Sequence, residues 1–180
     1  YFFSELTYNN FYKMKRKHLF PLNKISYLKD KKFREENCIL CKIIEKDSQV
    51  FNLLVYEGEK AAVTLNLYPY NAGHLMIFPM RHIEDIREIS KEEEDEISIL
   101  TKISMDILDK IYSPGGYNIG YNIGKASGAS IAHIHRHVVP RFPNELGFID
   151  ILSGSKIIVE DPKQTLLKLK EFFRINLEVE

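Results

Sequence analysis

The stretch Ala132-His133-Ile134-His135-Arg136-His137-Val138-Val139 carries three of the six histidines of this 180-residue chain, one at every second position. Side chains on a β-strand alternate between its two faces. A strand over 133–139 would therefore project these three imidazoles from one face, about 6.5–7 Å apart. The stretch predicts a strand that carries a row of histidines, with Arg136 on the opposite face.

Such a row of imidazoles suits two kinds of chemistry. In a metal centre, alternate histidines ligate a single ion. In nucleophilic catalysis, one neutral imidazole attacks while its neighbours position the substrate and stabilise its charge. The row alone leaves both possibilities open.

The loop before the histidines favours nucleophilic catalysis. It reads Gly124-Lys125-Ala126-Ser127-Gly128-Ala129-Ser130. Its unhindered backbone N–H groups, two hydroxyls and lysine are the groups that hold an anionic phosphate. Because the loop leads directly into the histidine row, we predict a phosphate-binding site at this point of the chain.

The rest of the sequence predicts an α+β fold with an antiparallel sheet. A capping box at Ser90-Lys91-Glu92-Glu93 begins a long central helix that ends near Tyr112. A C-terminal helix is predicted over 163–173. Strands are predicted at 52–56, 60–66, 74–79, 116–124, 133–139 and near 156–159. The order of strands, helix, strands, helix favours this class over a doubly wound parallel sheet.

Length and composition suit one globular domain, since 44% of the residues are apolar and can close a sizeable core. No window approaches the run of about 18 uncharged apolar residues that spans a bilayer. The first residues also lack the charge-then-apolar order of a secretory signal. We therefore expect a soluble, cytoplasmic protein with no membrane partner.

The zero net charge conceals an asymmetry between the two ends of the chain. Residues 1–34 hold nine Lys or Arg and two acids, which leaves 16 basic and 23 acidic residues in the remainder. We interpret 1–34 as a basic aromatic arm and 35–180 as a single folded domain. Such an arm suits either binding to polyanions or packing on an acidic surface. We favour packing on the acidic body or on a neighbouring subunit, so nucleic acid is not the expected partner.

The two cysteines form a CxxC pair, Cys38-Ile39-Leu40-Cys41. In an intracellular protein such a pair indicates metal or redox chemistry and not a disulfide scaffold. A tight turn between the thiolates lets both reach one tetrahedral ion at about 2.3 Å. The alternative is a pair of buried apolar residues.

Taken together, these motifs resemble the histidine-triad (HIT) family. From Cys38 to about Arg174 the chain is similar to the branch that contains the diadenosine tetraphosphate phosphorylases, and the matching blocks are 65–76, 118–124, 126–128 and 137–141. The resemblance implies an HIT-like fold and an enzyme that acts on nucleoside 5′-polyphosphates, diadenosine tetraphosphate above all. It also implies a covalent nucleotidyl-histidine intermediate and a homodimer or higher homo-oligomer.

The resemblance further implies a role for each matching residue in the site. His135, the middle histidine, would be the nucleophile. His137 would bind the phosphate and stabilise its developing charge, and Ser130 would contact the phosphate bridge or leaving group. Asn122 would contact the phosphates, and Asn66 would hold the ribose.

Some members of the family carry a structural zinc ion. The resemblance implies the same ion here, with Cys38, Cys41, His82 and His133 as its four ligands. Such a closed site would tie the N-terminal turn to the catalytic strand without taking part in the chemistry. Magnesium is expected only as an ion that is bound to the substrate. His74 is expected to support the site residues and not to act as a catalyst.

Ala129 departs from the family pattern, because relatives often place glutamine or glycine there.

Three rival functions remain at this stage. One is a phosphoramidase or adenylate hydrolase with the same nucleophile. Another is a metal-dependent hydrolase centred on the HxHxH row, although the usual neighbouring aspartate is replaced by Val138 and Val139. The third is a nucleotide- or nucleic-acid-binding module in which the arm is functional.

Overall fold

The computed structural model describes residues 38–143, 145 and 161–177. The predicted arm over 1–34 and the predicted strand near 156–159 lie outside these residues. The helices and strands are α1 (Ile39–Ile44), β1 (Leu54–Glu57), β2 (Ala61–Leu65), β3 (Leu75–Pro79), α2 (Lys91–Tyr112), β4 (Gly116–Tyr121), β5 (Arg136–Arg141) and α3 (Pro162–Leu177).

The five strands form one antiparallel sheet in the order β1-β2-β3-β5-β4. The first three strands follow one another through the connections 58–60 and 66–74 and lie side by side as antiparallel neighbours. β5 enters between β3 and β4, and His137 is paired with Met76 on one side and with Gly120 on the other. The predicted α+β class, with a long central helix and a C-terminal helix, is confirmed.

Helices α2 and α3 cover one face of this sheet. Their apolar stripes pack on strand residues such as Val63, Ile77 and Val138 in a single buried cluster. Residues one position along each strand point to the other face, where α1 packs on Ala62, Met76 and Phe78. His137 is the register partner of Met76 and shares this second face, which the two long helices leave open.

The capping box of α2 is present as predicted. The Ser90 hydroxyl accepts a hydrogen bond from the Glu93 backbone N–H, and the Glu93 carboxylate accepts one from the Ser90 N–H. The same carboxylate also receives Arg81 Nε at 2.6 Å. This contact fixes the residue before His82 to the start of α2.

The histidine strand begins later than the predicted residue 133, so that prediction is wrong in its boundary. β4 ends at Tyr121, paired with Arg136, because the chain turns away through Gly124 at a φ of 76°. His133 and His135 consequently precede β5. The Ile134 N–H donates to Ile83 O at 2.7 Å in this segment, outside the sheet.

Two smaller features complete the fold. The sequence did not predict α1, the short helix that begins within the CxxC pair. Among the described residues, the helices are too short or too polar to cross a bilayer.

Candidate active site

The backbone fixes the tautomer of His135. Its Nδ1 lies 2.8 Å from the carbonyl oxygen of His133. A carbonyl oxygen can only accept a hydrogen bond, so Nδ1 carries the proton and Nε2 keeps its lone pair. Burial lowers the pKa of His135 below its ordinary value. The ring is therefore neutral near pH 7 and presents an unprotonated Nε2.

A second hydrogen-bond chain fixes the tautomer of His137. The Tyr70 backbone N–H donates to His74 Nδ1 at 3.0 Å, which places the His74 proton on Nε2. That Nε2 lies 2.9 Å from His137 Nδ1 and donates to it. In its neutral form His137 therefore carries its proton on Nε2, so it is a hydrogen-bond donor without needing a positive charge.

Asn122 and Asn66 lie at the two ends of this chain. The Asn122 amide is 3.2 Å from His137 Nε2. Since Nε2 carries a proton, we infer that the amide oxygen is turned toward the ring. Asn66 accepts the Tyr68 N–H at 3.0 Å, and its amide nitrogen lies 3.2 Å from His74 Nδ1. The structure thus brings both predicted asparagines to the histidines.

The predicted phosphate loop connects β4 to the histidine segment. Residues Lys125–Ser127 form a single 3-10 turn between Gly124 and Gly128, both of which have positive φ. These two glycines allow a tight curve that other residues adopt only with strain. Ser130 is exposed in the segment that leads to His133. The Ser127 and Gly128 N–H groups donate to Gly124 O and Lys125 O within the turn, so Ser130 is the predicted phosphate contact that the loop leaves exposed.

Arg136 points away from this site, as predicted. Its guanidinium lies beneath α2, where it pairs with the Glu94 carboxylate and lies 3.2 Å from Thr101 Oγ1. It also lies over the Tyr121 ring, 5.1 Å from its centroid. The side chain binds the catalytic segment to the central helix and takes no position among the imidazoles.

The four predicted metal ligands come together in a separate cluster. One ligand atom from each of Cys38, Cys41, His82 and His133 lies within 4.8 Å of the others. The Sγ-to-Nδ1 distances are 3.5 Å for Cys38 and His133, 3.6 Å for Cys41 and His133, and 3.4 Å for Cys41 and His82. A tetrahedral zinc ion with ordinary bonds separates sulfur and nitrogen ligands by about 3.6 Å. The donor set therefore fits zinc in both type and spacing.

The tautomers of the two cluster histidines also suit a metal. His133 Nε2 lies 3.0 Å from Pro79 O, so it donates and leaves the Nδ1 lone pair toward the sulfurs. His82 Nε2 lies 3.5 Å from the Glu84 carboxylate. Burial and the neighbouring Cys38 raise the pKa of Cys41 to about 12, so without a cation this thiol stays protonated. Among the described residues, no other group of three or more such side chains is gathered in this way.

The geometry separates the two chemistries that the histidine row left open. His133 turns toward the sulfurs, whereas His135 directs Nδ1 at a carbonyl and stacks edgewise with His137 at a centroid distance of 4.7 Å. The three imidazoles do not converge on one point. A metal centre built on the whole row is therefore excluded by the directions of its own ligands.

Buried His74 makes stability depend on pH. Burial, together with the neighbouring imidazoles, lowers the pKa of His74 to about 3. An unfolded histidine titrates near pH 6.5, so below that pH the unfolded chain binds a proton that the folded chain does not. The contribution of His74 to the free energy of unfolding is therefore fully present above pH 6.5 and is lost as the pH falls toward 3.

We expect proton uptake by His74 in the unfolded chain to lower the free energy of unfolding by about 2 kcal/mol at pH 5 relative to pH 7.5. Urea unfolding of the wild type and of His74→Gln at both pH values checks this. The gap between the two proteins should narrow at pH 5 by that amount. If the difference in unfolding free energy between the two proteins is the same at both pH values, folding does not lower the pKa of His74.

Some residues around the site were not predicted from sequence. The Tyr70 ring lies tilted against His74 and His137, and it belongs to the matching block 65–76, in which no role was predicted for it. Asn71 is buried and donates to Pro140 O at 2.7 Å and to the Glu145 carboxylate at 2.9 Å. The run Tyr68-Pro69-Tyr70-Asn71 within this block is the local sequence signal for either role, and it indicates a turn equally well.

Comparison with known proteins gives relatives along most of the described region. The chain is 39% identical over 107 residues to an AP-4-A phosphorylase of Mycobacterium tuberculosis, which is 59% of this chain and 55% of that protein. It thus spans about half the length of that relative. It is also 32% identical over 129 residues to an uncharacterized HIT-like protein of Borreliella burgdorferi, covering 71% of this chain and 90% of that protein.

Solved structures agree with the fold. A hypothetical histidine triad nucleotide-binding protein of Sulfolobus tokodaii gives a TM-score of 0.61 at 28% identity, over 78% of this chain and 92% of that one. A zinc-bound histidine triad family protein of Mycobacterium smegmatis gives 0.64 at 24% identity, over 79% and 97%, which is a likeness of fold. The family model described as the HIT domain matches residues 47–144, more than half of the chain. The chain therefore belongs to the HIT domain family.

Proposed function

We propose that this protein is a nucleotidyl hydrolase or transferase that acts on nucleoside 5′-polyphosphates, with diadenosine tetraphosphate as its substrate. The observation that carries this proposal is the fixed tautomer of His135. Its Nδ1–H is held by the His133 carbonyl at 2.8 Å, so the lone pair on Nε2 is directed for attack. The relationship to a mycobacterial AP-4-A phosphorylase supports the choice of substrate.

In the first step, His135 Nε2 attacks the α-phosphorus of the nucleotide. A phosphorus–nitrogen bond forms and the bond from that phosphorus to the bridging oxygen breaks. For diadenosine tetraphosphate the leaving group is ATP, and adenylate remains on the ring. The positive charge that develops on the imidazole is stabilised because its Nδ1–H already points at a carbonyl oxygen.

His137 and its neighbours bind the reacting phosphate in this proposal. The phosphate replaces the Asn122 amide oxygen as the acceptor of the His137 Nε2–H, which then donates to a non-bridging oxygen, and the released Asn122 amide adds a second polar contact. Ser130 and those backbone N–H groups of 124–130 that are not bonded within the 3-10 turn hold the bridging and leaving oxygens. Asn66 holds the ribose.

In the second step, an oxygen of water or of inorganic phosphate attacks the adenylated phosphorus and breaks the bond to His135. Water yields AMP and phosphate yields ADP. The imidazole returns to its neutral form with the same proton on Nδ1. All bonds made and broken involve this chain and its substrates.

A zinc ion held by Cys38, Cys41, His82 and His133 has a structural role in this proposal. Four protein ligands close the coordination sphere and leave no position for substrate. The ion would fix His133, whose carbonyl holds the proton of His135. The two unbridged cysteines are consistent with a reducing, cytoplasmic location.

Assembly forms a further part of the proposal. β4 is at the edge of the sheet that the described residues form, and Ile119 on it is exposed. An open edge with an apolar side chain favours pairing with another chain. We propose a homodimer or higher homo-oligomer.

Incubation with diadenosine tetraphosphate, with and without inorganic phosphate, tests the proposed activity. We expect ATP as a product in both reactions, because the first step is the same. The second product identifies the acceptor, since AMP marks water and ADP marks phosphate. If the substrate is unchanged while an adenosine phosphoramidate is rapidly cleaved, the phosphoramidase alternative replaces this proposal.

A further inference from the structure

Tyr70 is a large aromatic side chain that the fold leaves half exposed at the edge of the candidate site. Its relative exposure is 49%, whereas His74 beneath it is fully buried. The ring centroid of Tyr70 lies 4.8 Å from that of His74 and 5.7 Å from that of His137, at tilts of 33° and 35°. One side of the phenol ring thus covers the two imidazoles, and half of its surface remains open to solvent.

The loop that carries Tyr70 is held firmly. At its two ends the Asn66 N–H donates to His74 O at 2.9 Å and the His74 N–H to Asn71 O at 3.2 Å. The buried Asn71 side chain fixes the loop to Pro140 O. Gly73 has a φ of 72° and packs so closely on Leu108 that a Cβ would lie 2.8 Å from it. The aromatic ring is therefore preorganised, which lowers the entropy lost when it binds a ligand.

Strand register shows on which side of the histidines Tyr70 lies. Leu75 pairs with Val138 and Met76 pairs with His137 in antiparallel β3 and β5. The loop before Leu75 therefore lies past His137, on the side away from His135. Asn66 is at this same end of the sheet, because its N–H bonds to His74 O.

The phosphate loop lies at the other end. It follows β4, whose last residue Tyr121 pairs with Arg136, next to His135. A nucleotide that places its α-phosphate at His135 and its leaving chain along 124–130 must extend its nucleoside in the opposite direction, toward Asn66 and Tyr70. Leu67, also exposed, adds apolar surface in the same loop.

From this arrangement we infer that Tyr70 is a specificity-determining residue whose open ring face stacks on the base of the transferred nucleotide. The inference rests on the nucleotide-binding role proposed above and adds a base preference to it. Aromatic stacking is tolerant of base identity but stronger for larger ring systems. Tyr70 therefore favours purine over pyrimidine nucleotides.

Calorimetric titration with AMP, CMP and inorganic phosphate tests this inference on the wild type, Tyr70→Phe and Tyr70→Leu. Leucine still covers His74 and keeps the backbone N–H that fixes its tautomer, but it removes the aromatic face. We expect Tyr70→Leu to weaken AMP binding about tenfold. CMP should lose less, so the preference for AMP narrows, while phosphate affinity is unchanged. Tyr70→Phe should bind all three like the wild type.

Two results would overturn the inference. Equal weakening of AMP, CMP and phosphate would mean that Tyr70 acts through His137 and not on the base. Unchanged AMP affinity in Tyr70→Leu would mean that the ring only covers His74. Failure of the proposed function looks different, because the wild-type protein would then bind neither AMP nor CMP.

Discussion

Replacement of His135 by asparagine is expected to lower kcat on diadenosine tetraphosphate by at least about a thousandfold. Asparagine keeps a polar side chain of similar reach and offers no imidazole nitrogen with a free lone pair. Nucleotide binding should persist, because the groups at His137, Asn122 and 124–130 are untouched. Steady-state kinetics together with AMP titration separates the two effects.

His137→Asn is the matched control for this change. It removes an imidazole from the same face but not the bond-forming atom, so we expect a smaller loss, about a hundredfold. A variant at 135 that keeps turnover within tenfold of the wild type would rule out His135 as the nucleophile. A larger loss of kcat in His137→Asn than in His135→Asn would show that the nucleophile had been assigned to the wrong histidine.

Cys41→Ser is expected to have the largest effect on stability. The wild-type protein should contain about one zinc ion per chain, and the variant should contain almost none, because the Sγ of Cys41 contacts both histidine ligands. Loss of a structural metal removes binding energy that contributes to folding. We expect the melting temperature to fall by at least about 8 °C.

Elemental analysis and thermal unfolding on the same samples check this prediction. Glu84→Gln is the matched control, since it alters only the exposed partner of His82 and should keep both the zinc and the melting temperature. Wild-type protein that contains no zinc, or that melts at the same temperature after chelation, would contradict a structural metal site.

The sequence predicted the parts of this fold that depend on local pattern. Ser90 and Glu93 indicated the start of α2 because a capping box is a contact between residues three apart. The strands before it followed from apolar runs and turns. The predicted start of β5 was wrong because the length of a strand depends on its partner. β4 turns away after Tyr121, and nothing in 132–139 indicates where its partner ends.

The structure brings His135 and His137 together with Asn122, whose roles stay predictions, whereas the proton positions in the site could not be predicted from the sequence. The spacing of His133, His135 and His137 indicated one face, yet the fold directs His133 to the sulfurs and leaves the other two together. The tautomers depend on a backbone carbonyl and on the Tyr70 N–H, contacts that exist only after folding. No role was predicted for Tyr70, because the exposure of its ring depends on the folded loop.

Covalent capture of the intermediate is the most direct test of whether His135 forms the bond to the nucleotide. Wild-type protein is mixed with labelled diadenosine tetraphosphate, quenched within milliseconds in alkali, digested and mapped by mass spectrometry. We expect one adenylate on the peptide that contains His135, stable in alkali and lost in acid as expected of a phosphorus–nitrogen bond. An adduct on another residue, or rapid turnover with no adduct at any quench time, would contradict it.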